Sequence, residues 1–365
     1  MKPAPGVDEF PVHPASWYLF GELKALRRGP VSKNMLGTRL VAFLTVQGKV
    51  AVMHARCAHL AADLGCGRVV GEEIRCPFHH WQYDITGRCT STASGTPPPP
   101  FAKQLSYPVE VRHGFVFFFF GSEPLVPLPF FLDRNPDDFV PGRPFSFVGD
   151  CSWYMLAANG FDEQHFQAVH DRRLTRPPEV DFPAPHARRM TFHAEVIGDS
   201  IFDRLLRRFV GRTVVVTITS FNGPFILVTG TFGRAQSYMI IASQPTGPVA
   251  TLTEVIVFAR KRKPAWLRPV LEPISLFLRR LFTQGFLKDD IERLAGMRYN
   301  QFGFIDDDRN MVDFFRWLIA LPQSSTQKPN AHITASQPAL PRKDAGEPSE
   351  RASFALHGDP NRITP

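Results

Sequence analysis

Cys57-Ala58-His59, sixteen intervening residues, then Cys76-Pro77-Phe78-His79 is the stretch on which the reading of this chain turns. Each half supplies one thiolate and one imidazole at short spacing. Two Cys on one iron and two His on the other form the donor set of a [2Fe–2S] centre whose potential lies above that of an all-thiolate cluster. The same four side chains could hold zinc. Cys2His2 zinc modules usually keep the Cys pair and the His pair apart in sequence, whereas here each pair mixes the two. Gly65, Gly67 and Gly71 between the pairs, and Pro77 within the second, suit two tight loops around a metal. The four residues are assigned to a cluster.

The bulk properties set limits on the rest. A chain of 365 residues allows two domains and a sizeable core. Its 44% hydrophobic and 21% charged residues are those of a soluble globular protein. Phe (33) far outnumbers Tyr (6), which fits either a Phe-rich core or apolar walls around a ligand. With Cys57 and Cys76 assigned, the odd remainder of Cys66, Cys89 and Cys151 argues against a disulfide framework and for a reducing compartment. The opening MKPAPGVDEF has no apolar signal core. The most apolar stretch, residues 114–132, is interrupted by Glu123, Pro124, Pro127 and Pro129, so no membrane span is expected. A cytoplasmic protein is the expectation. Net charge is +8, with basic runs at residues 260–263, 207–208 and 279–280. These lack the interleaved aromatics and module of a nucleic-acid binder. They read as a solvated face, or as a docking patch for an acidic redox partner.

Along the chain, residues 16–120 read as short strands and turns. Residues 39–46 and 49–53 form an expected hairpin about Gln47-Gly48, and residues 107–120 two more strands about His113-Gly114. This small antiparallel β unit would carry both loops. The Pro-rich residues 122–144 read as a connector. Residues 154–169 have a helical pattern. Four β-rich runs (212–221, 225–232, 237–243 and 250–258) predict an antiparallel meander, followed by helices over 266–286, 288–298 and 312–320. From residue 323 the apolar period is lost and a disordered tail is expected. The expected division is an extension over 1–15, a cluster domain over 16–125, a second domain over 126–322 and a tail over 323–365.

The second domain holds another constellation: Asn159, Asp162, His165 and His170. Two His five apart stand about 140° apart on an ideal helix, so facing one metal requires the helix to loosen or end between them. Asp171-Arg172-Arg173 marks where that end could fall. Asp162, three residues before His165, could hydrogen-bond a ligating imidazole. Beside a cluster that delivers electrons, a 2-His-1-carboxylate iron site is the reading, and its carboxylate must come from elsewhere. Asp306, Asp307 and Asp308 sit in a polar loop. Asp290 opens an amphipathic run (Ile291, Leu294, Met297) and is preferred, with Asp289 as the alternative one residue away.

These motifs resemble those of the Rieske non-haem iron oxygenases, large subunits of ring-hydroxylating type, over residues 16–320. The similarity is strongest to the branch of 3-ketosteroid 9α-hydroxylase. There, a step like Asp290-Ile291-Glu292 precedes an acidic loop like Asp306–Asp308 and an aromatic helix like residues 314–317. The resemblance implies an α+β fold, with an all-β Rieske [2Fe–2S] domain followed by a helix-grip (START-like) antiparallel-sheet catalytic domain. It implies cluster ligands Cys57, His59, Cys76 and His79, and a mononuclear Fe(II) on His165, His170 and Asp290. It further implies Asn159 near the metal, Asp162 as an electron-transfer bridge between subunits, and a head-to-tail homotrimer. O2 would be the oxidant, used for mono- or dioxygenation. Electrons would come from NAD(P)H through a ferredoxin or a flavin/iron–sulfur reductase, because the chain has no dinucleotide fingerprint of its own. His80 departs from the family, which generally has Gly there.

An apolar small-molecule substrate is expected, steroid- or sterol-like in preference to aromatic. The meander and the helix over 266–286 would line its pocket, with Phe221, Phe225 and Phe232 as wall candidates, although core packing is the commoner role for any one of them. The rival classes are a Rieske electron-transfer protein, which leaves the residues after 120 unexplained, and an apolar-ligand carrier with an inactive iron site.

Overall fold

The computed structural model describes residues 2–323, except Arg234 and the side chain of Phe202. The expected disordered tail lies outside the described residues from 324 onward. Four antiparallel sheets hold the strands. β1 (Trp17–Glu22), followed by the single turn α1 (Leu23–Leu26), pairs with β11 (Phe115–Phe119), which pairs with β10 (Val109–Arg112). A second sheet joins β2 (Val31–Met35), β3 (Thr38–Leu44), β4 (Val50–His54) and β9 (Ser106–Tyr107). A third joins β5 (Arg68–Val70), β6 (Glu73–Arg75), β7 (Gln82–Tyr83) and β8 (Cys89–Ser91). The hairpin about Gln47-Gly48 is β3–β4, with Phe43 opposite Ala51, and the pair about His113-Gly114 is β10–β11. The first Cys/His loop joins β4 to β5, and the second joins β6 to β7.

The fourth sheet contains all the later strands. β12 (Phe139–Pro141) and β13 (Phe145–Gly149) pair along β20 (Ala250–Arg260). Then come β19 (Ala235–Gly247), β18 (Phe225–Phe232), β17 (Thr213–Phe221) and β16 (Ala187–Val196). β14 (Arg172–Leu174) and β15 (Glu179–Asp181) pair with the far side of β16. The meander expected over 212–258 is therefore present, and longer than predicted.

This sheet is covered on both faces, and the two-residue period of a strand decides which side chain goes where. On one face Met190, Phe192, Ile226, Val228, Met239 and Ile241 meet the helices. On the other, Phe225, Leu227, Tyr238 and Ile240 pack with Trp17, Leu19 and Phe117 of the N-terminal sheet. The wall assignment of Phe221 and Phe225 fails for this reason: both point to that second face, where they are core. Phe232 sits at the margin, edge-on to Phe282.

Five helices follow the sheet edges: α2 (Trp153–Ala158), α3 (Glu163–Ala168), α4 (Ile201–Phe209), α5 (Arg268–Leu294) and α6 (Arg309–Ile319). The single helical run read over 154–169 is two helices, broken where Asp162 turns extended and caps the second. The helices expected over 266–286 and 288–298 are one. Gly285 within a helix costs about 1 kcal/mol. Burial of Thr283, Leu287, Asp290 and Leu294, spaced four, three and four apart on one face, offsets that cost. α5 stops at Leu294, before the expected Arg298, because Gly296 takes a left-handed φ of 77° suited to a helix end. The N-terminal extension lies along α2 and α6: Phe10 stacks on Tyr154 at 4.0 Å, and the Trp153 indole donates to the Pro11 carbonyl at 3.0 Å.

Candidate metal centres

The two Cys/His loops have the same backbone design. In each, the Cys amide donates to the carbonyl five residues on: Cys57 to Ala62 at 2.9 Å and Cys76 to Trp81 at 2.8 Å. In each, the residue four after the Cys is left-handed, Ala61 at φ 57° and His80 at φ 58°. This explains why Gly is favoured at the place of His80, since a side chain there is strained. His80→Gly is expected to raise stability by about 1 kcal/mol. The measurement is the shift in denaturation midpoint of the cluster-loaded protein, and an unchanged or lower midpoint would contradict the strain argument.

The loops are held together at Gly67, where an added Cβ would meet the Arg75 carbonyl oxygen at 2.1 Å. Cys57 and Cys76 are buried and unbridged, with the Cys57 sulfur 3.1 Å from the Tyr83 hydroxyl. Burial pushes the Cys57 thiol up to about 11. A buried thiolate of this kind needs a cation to persist. The imidazoles lie farther out: His59 and His79 have ring centroids 4.7 Å apart, and His59 stacks on Trp81 at 4.4 Å. His59 Nδ1 is buried without a hydrogen-bond partner among the described residues, which fits a nitrogen that coordinates a metal. Among the described residues, no three atoms of this quartet converge within 4.8 Å, as the ligands of one tetrahedral zinc would. Sulfurs together and imidazoles together, but not all at one point, fit a two-iron cluster.

A second centre forms where α3 ends. α3 stops at Ala168, and Asp171 turns left-handed at φ 51°, so His170 swings back toward His165. The break required by the five-residue spacing is therefore present. His165 Nε2 lies 3.2 Å from His170 Nε2, and Asp290 Oδ1 lies 2.6 Å from the first and 3.0 Å from the second. Ligand atoms about 2.1 Å from one metal and at right angles to each other stand about 3 Å apart. These three atoms therefore fit one face of a single ion's coordination sphere. Burial raises the Asp290 carboxyl, and hydrogen bonds from His165 and His170 outweigh it, holding it down at about 2. It stays an anion.

Asp290, not the exposed Asp289, is the acid brought to the His pair. Asn159 also belongs here, its amide donating to Asp290 Oδ1 at 3.1 Å. Asp162 does something other than expected. Its carboxylate accepts from the His165 backbone amide at 3.0 Å, capping α3, rather than from an imidazole. An extended residue just before a helix has its side chain well placed for the first free amides. Asp306–Asp308 form a polar single turn away from the triad, with Asp306 and Asp307 exposed and Asp308 half-buried.

The sequence reading missed what anchors His170. Its ring stacks on Phe286 at 3.8 Å, and its carbonyl accepts from Arg172 at 2.6 Å. Arg172 in turn pairs with Asp203 of α4 at 2.8 Å, and both are almost buried. Asp203→Ala would leave that guanidinium unpaired and is expected to cost about 3–5 kcal/mol. It should also loosen metal retention. Chemical denaturation and metal content measure both effects, and a midpoint within error of the parent would contradict the role.

Over the triad lies a cleft walled by Phe147, Phe166, Phe192, Ile218, Val228 and Met239 among others. Among the described residues its only polar lining comes from Asn159, Asp162 and the triad, with no Lys or Arg. The expected helix over 266–286 contributes Phe286, and its continuation adds Leu287, Ile291 and Leu294.

Comparison with known proteins agrees with the first centre. The family model of the Rieske [2Fe–2S] domain matches residues 16–104, so this chain carries a Rieske domain. Over 166 residues the chain is 33% identical to the aminopyrrolnitrin oxygenase of Pseudomonas fluorescens, covering 43% of this chain and 46% of the relative. Over 114 residues it is 35% identical to the oxygenase component of 3-ketosteroid-9-alpha-monooxygenase from Mycolicibacterium smegmatis, covering 31% and 30%. The chain thus spans less than half the length of these curated relatives. In fold, it superposes on dicamba monooxygenase bound to dicamba with a TM-score of 0.61 at 18% identity, covering 85% of this chain and 97% of the other. The α+β fold, an N-terminal Rieske domain followed by the long antiparallel sheet and its helices, is that of these oxygenases. The resemblance drawn from the motifs holds.

Proposed function

We propose that this protein is the terminal oxygenase component of an NAD(P)H-dependent system, hydroxylating an uncharged apolar substrate. A separate ferredoxin or flavin/iron–sulfur reductase would supply the electrons. In this reading Cys57, His59, Cys76 and His79 hold a [2Fe–2S] cluster, and His165, His170 and Asp290 hold iron(II). Residues 16–125 form the cluster domain and 126–322 the catalytic domain. Bound at the triad, iron(II) supplies the activation of dioxygen. The observation that carries the reading is the convergence of two imidazoles and one buried carboxylate at the floor of an apolar cleft, in a chain with a Rieske domain.

The protein's own groups have distinct tasks. Asn159 holds the carboxylate of Asp290 in place, and the Phe286 ring fixes the plane of His170. The aromatic and aliphatic walls exclude water and orient a substrate by shape rather than by charge. With no cation lining it among the described residues, the cleft disfavours aromatic acids. The steroid relative supports a steroid- or sterol-like substrate, and monooxygenation is favoured over dioxygenation for the same reason. In a head-to-tail homotrimer, the role of bridge to a neighbouring subunit's cluster would fall to Asp162, a reading that rests on the motif resemblance.

The test is reconstitution with NAD(P)H, a generic ferredoxin–reductase pair and isotopically heavy dioxygen. Steroids, neutral aromatics and aromatic acids are assayed for mass gain. Label is expected in a neutral apolar member of the panel. A cluster that reduces while no substrate gains label would overturn the assignment.

A further inference from the structure

The N-terminal half of α5 is amphipathic in the reverse sense for a surface helix. Its first fifteen residues include no buried position. Val270, Ile274, Phe277, Leu278 and Leu281 fall within about 120° of the helix circumference. All five are exposed, Val270 at 61% and Phe277 at 65%, and Trp266 just before the helix is 75% exposed. The polar side chains are turned the other way: Arg279 donates to the Gln236 carbonyl, and Glu272 accepts from the Arg262 amide at 3.0 Å. A surface helix ordinarily points its apolar stripe at the core.

α4 repeats the feature. Ile201, Leu205 and Phe209, four residues apart, are exposed, with exposed Arg204 and Arg208 beside them. Both helices adjoin one turn, that between β18 and β19. Gly233 lies against the end of α4 at Val210 and Gly211, and α5 meets the flanking strands through Phe282 on Phe232 and Arg279 on Gln236. Exposed Lys261, Arg262 and Lys263 lead into Trp266.

We propose that the outer faces of α5 and α4 dock on an anionic lipid bilayer. A wide apolar stripe, a tryptophan at its edge and a basic rim are the three features that hold a helix in a membrane interface. No helix among the described residues is long and apolar enough to cross a membrane, so the contact is superficial. Isologous pairing of two copies through this face would set the basic rims against each other. Bilayer contact stands independently of the proposed reaction. Combined with it, the contact brings the helix that carries Asp290 to the place where apolar substrates dissolve.

The full-length, metal-loaded protein should be sedimented with vesicles of phosphatidylcholine alone or with about 30% phosphatidylglycerol. Binding is expected on the anionic vesicles only, weakening as salt is raised. The double variant Trp266→Ser/Phe277→Ser is expected to lose about tenfold in bound fraction. Lys261→Ser/Lys263→Ser should lose the preference for anionic lipid. All variants should keep the parent visible spectrum. No vesicle binding at low salt would overturn the proposal, as would binding that survives Trp266→Ser/Phe277→Ser. A change of oligomer mass in that variant, without vesicle binding by the parent, would assign the face to contacts between copies instead. None of these readouts depends on turnover, so a negative result in the substrate panel leaves this test intact.

Discussion

Asp290→Ala is expected to abolish oxygenation while leaving the cluster spectrum and the folded mass unchanged. Removing a group that merely orients a metal ligand costs about 10–100-fold, so removing a ligand should exceed that range. Iron content should fall from about three to about two per chain, since only the mononuclear ion is lost. Asp289→Ala is the internal control. It lies one residue away on the same helix but is exposed, and it should retain the iron and the activity of the parent. Equal loss in both variants would mean that the helix, rather than its inward carboxylate, was being tested. Retention of about three irons in Asp290→Ala would remove it from the ligand set.

Cys76→Ser carries the second large effect and should do the reverse. The cluster's visible absorption should disappear and turnover with it, with about one iron per chain remaining at the triad. The second loop would keep its backbone bond from residue 76 to Trp81, because that bond uses the amide and not the sulfur. The protein should therefore fold but fail to pass electrons. Loss of the triad iron as well would indicate that the two centres do not load independently.

The difference in sequence separation between the two centres explains how much of each was legible. Four ligands within 23 positions, in two loops of matching backbone design, are a local pattern that spacing alone reveals. The pairing of His165 and His170 was legible as a requirement that a helix end between them. Asp171-Arg172-Arg173 marks the place of that end, but the left-handed turn at Asp171 is only weakly signalled, since Asp merely tolerates that conformation better than most residues. Asp290 stands 120 residues from His170, so no spacing links the two; the amphipathic run it opens points to it, and the resemblance is the main support. The spacing of Thr283, Leu287, Asp290 and Leu294 could have separated it from Asp289, had one helix been read instead of two.

For Phe221 and Phe225, wall candidates whose commoner role is core packing, the core role holds. The alternation of a strand turns Ile226 and Val228 to the cleft and Phe225 away from it. β16, which supplies Phe192 to the cleft, was not anticipated, although its alternating burial from Ala187 to Val196 follows an alternation visible in its residues. The Arg172–Asp203 pair behind His170 joins a strand to a helix 31 residues later, and only the folded chain brings them together.

The central claim is that one chain supports two separate iron centres. Its most direct measurement is electron paramagnetic resonance of the reduced, iron-loaded protein with and without nitric oxide, beside Asp290→Ala. The parent should show a reduced cluster signal and, with nitric oxide, a separate high-spin iron–nitrosyl signal that is missing from Asp290→Ala. A cluster signal with no nitrosyl signal in the parent, or a nitrosyl signal undiminished in Asp290→Ala, would contradict it.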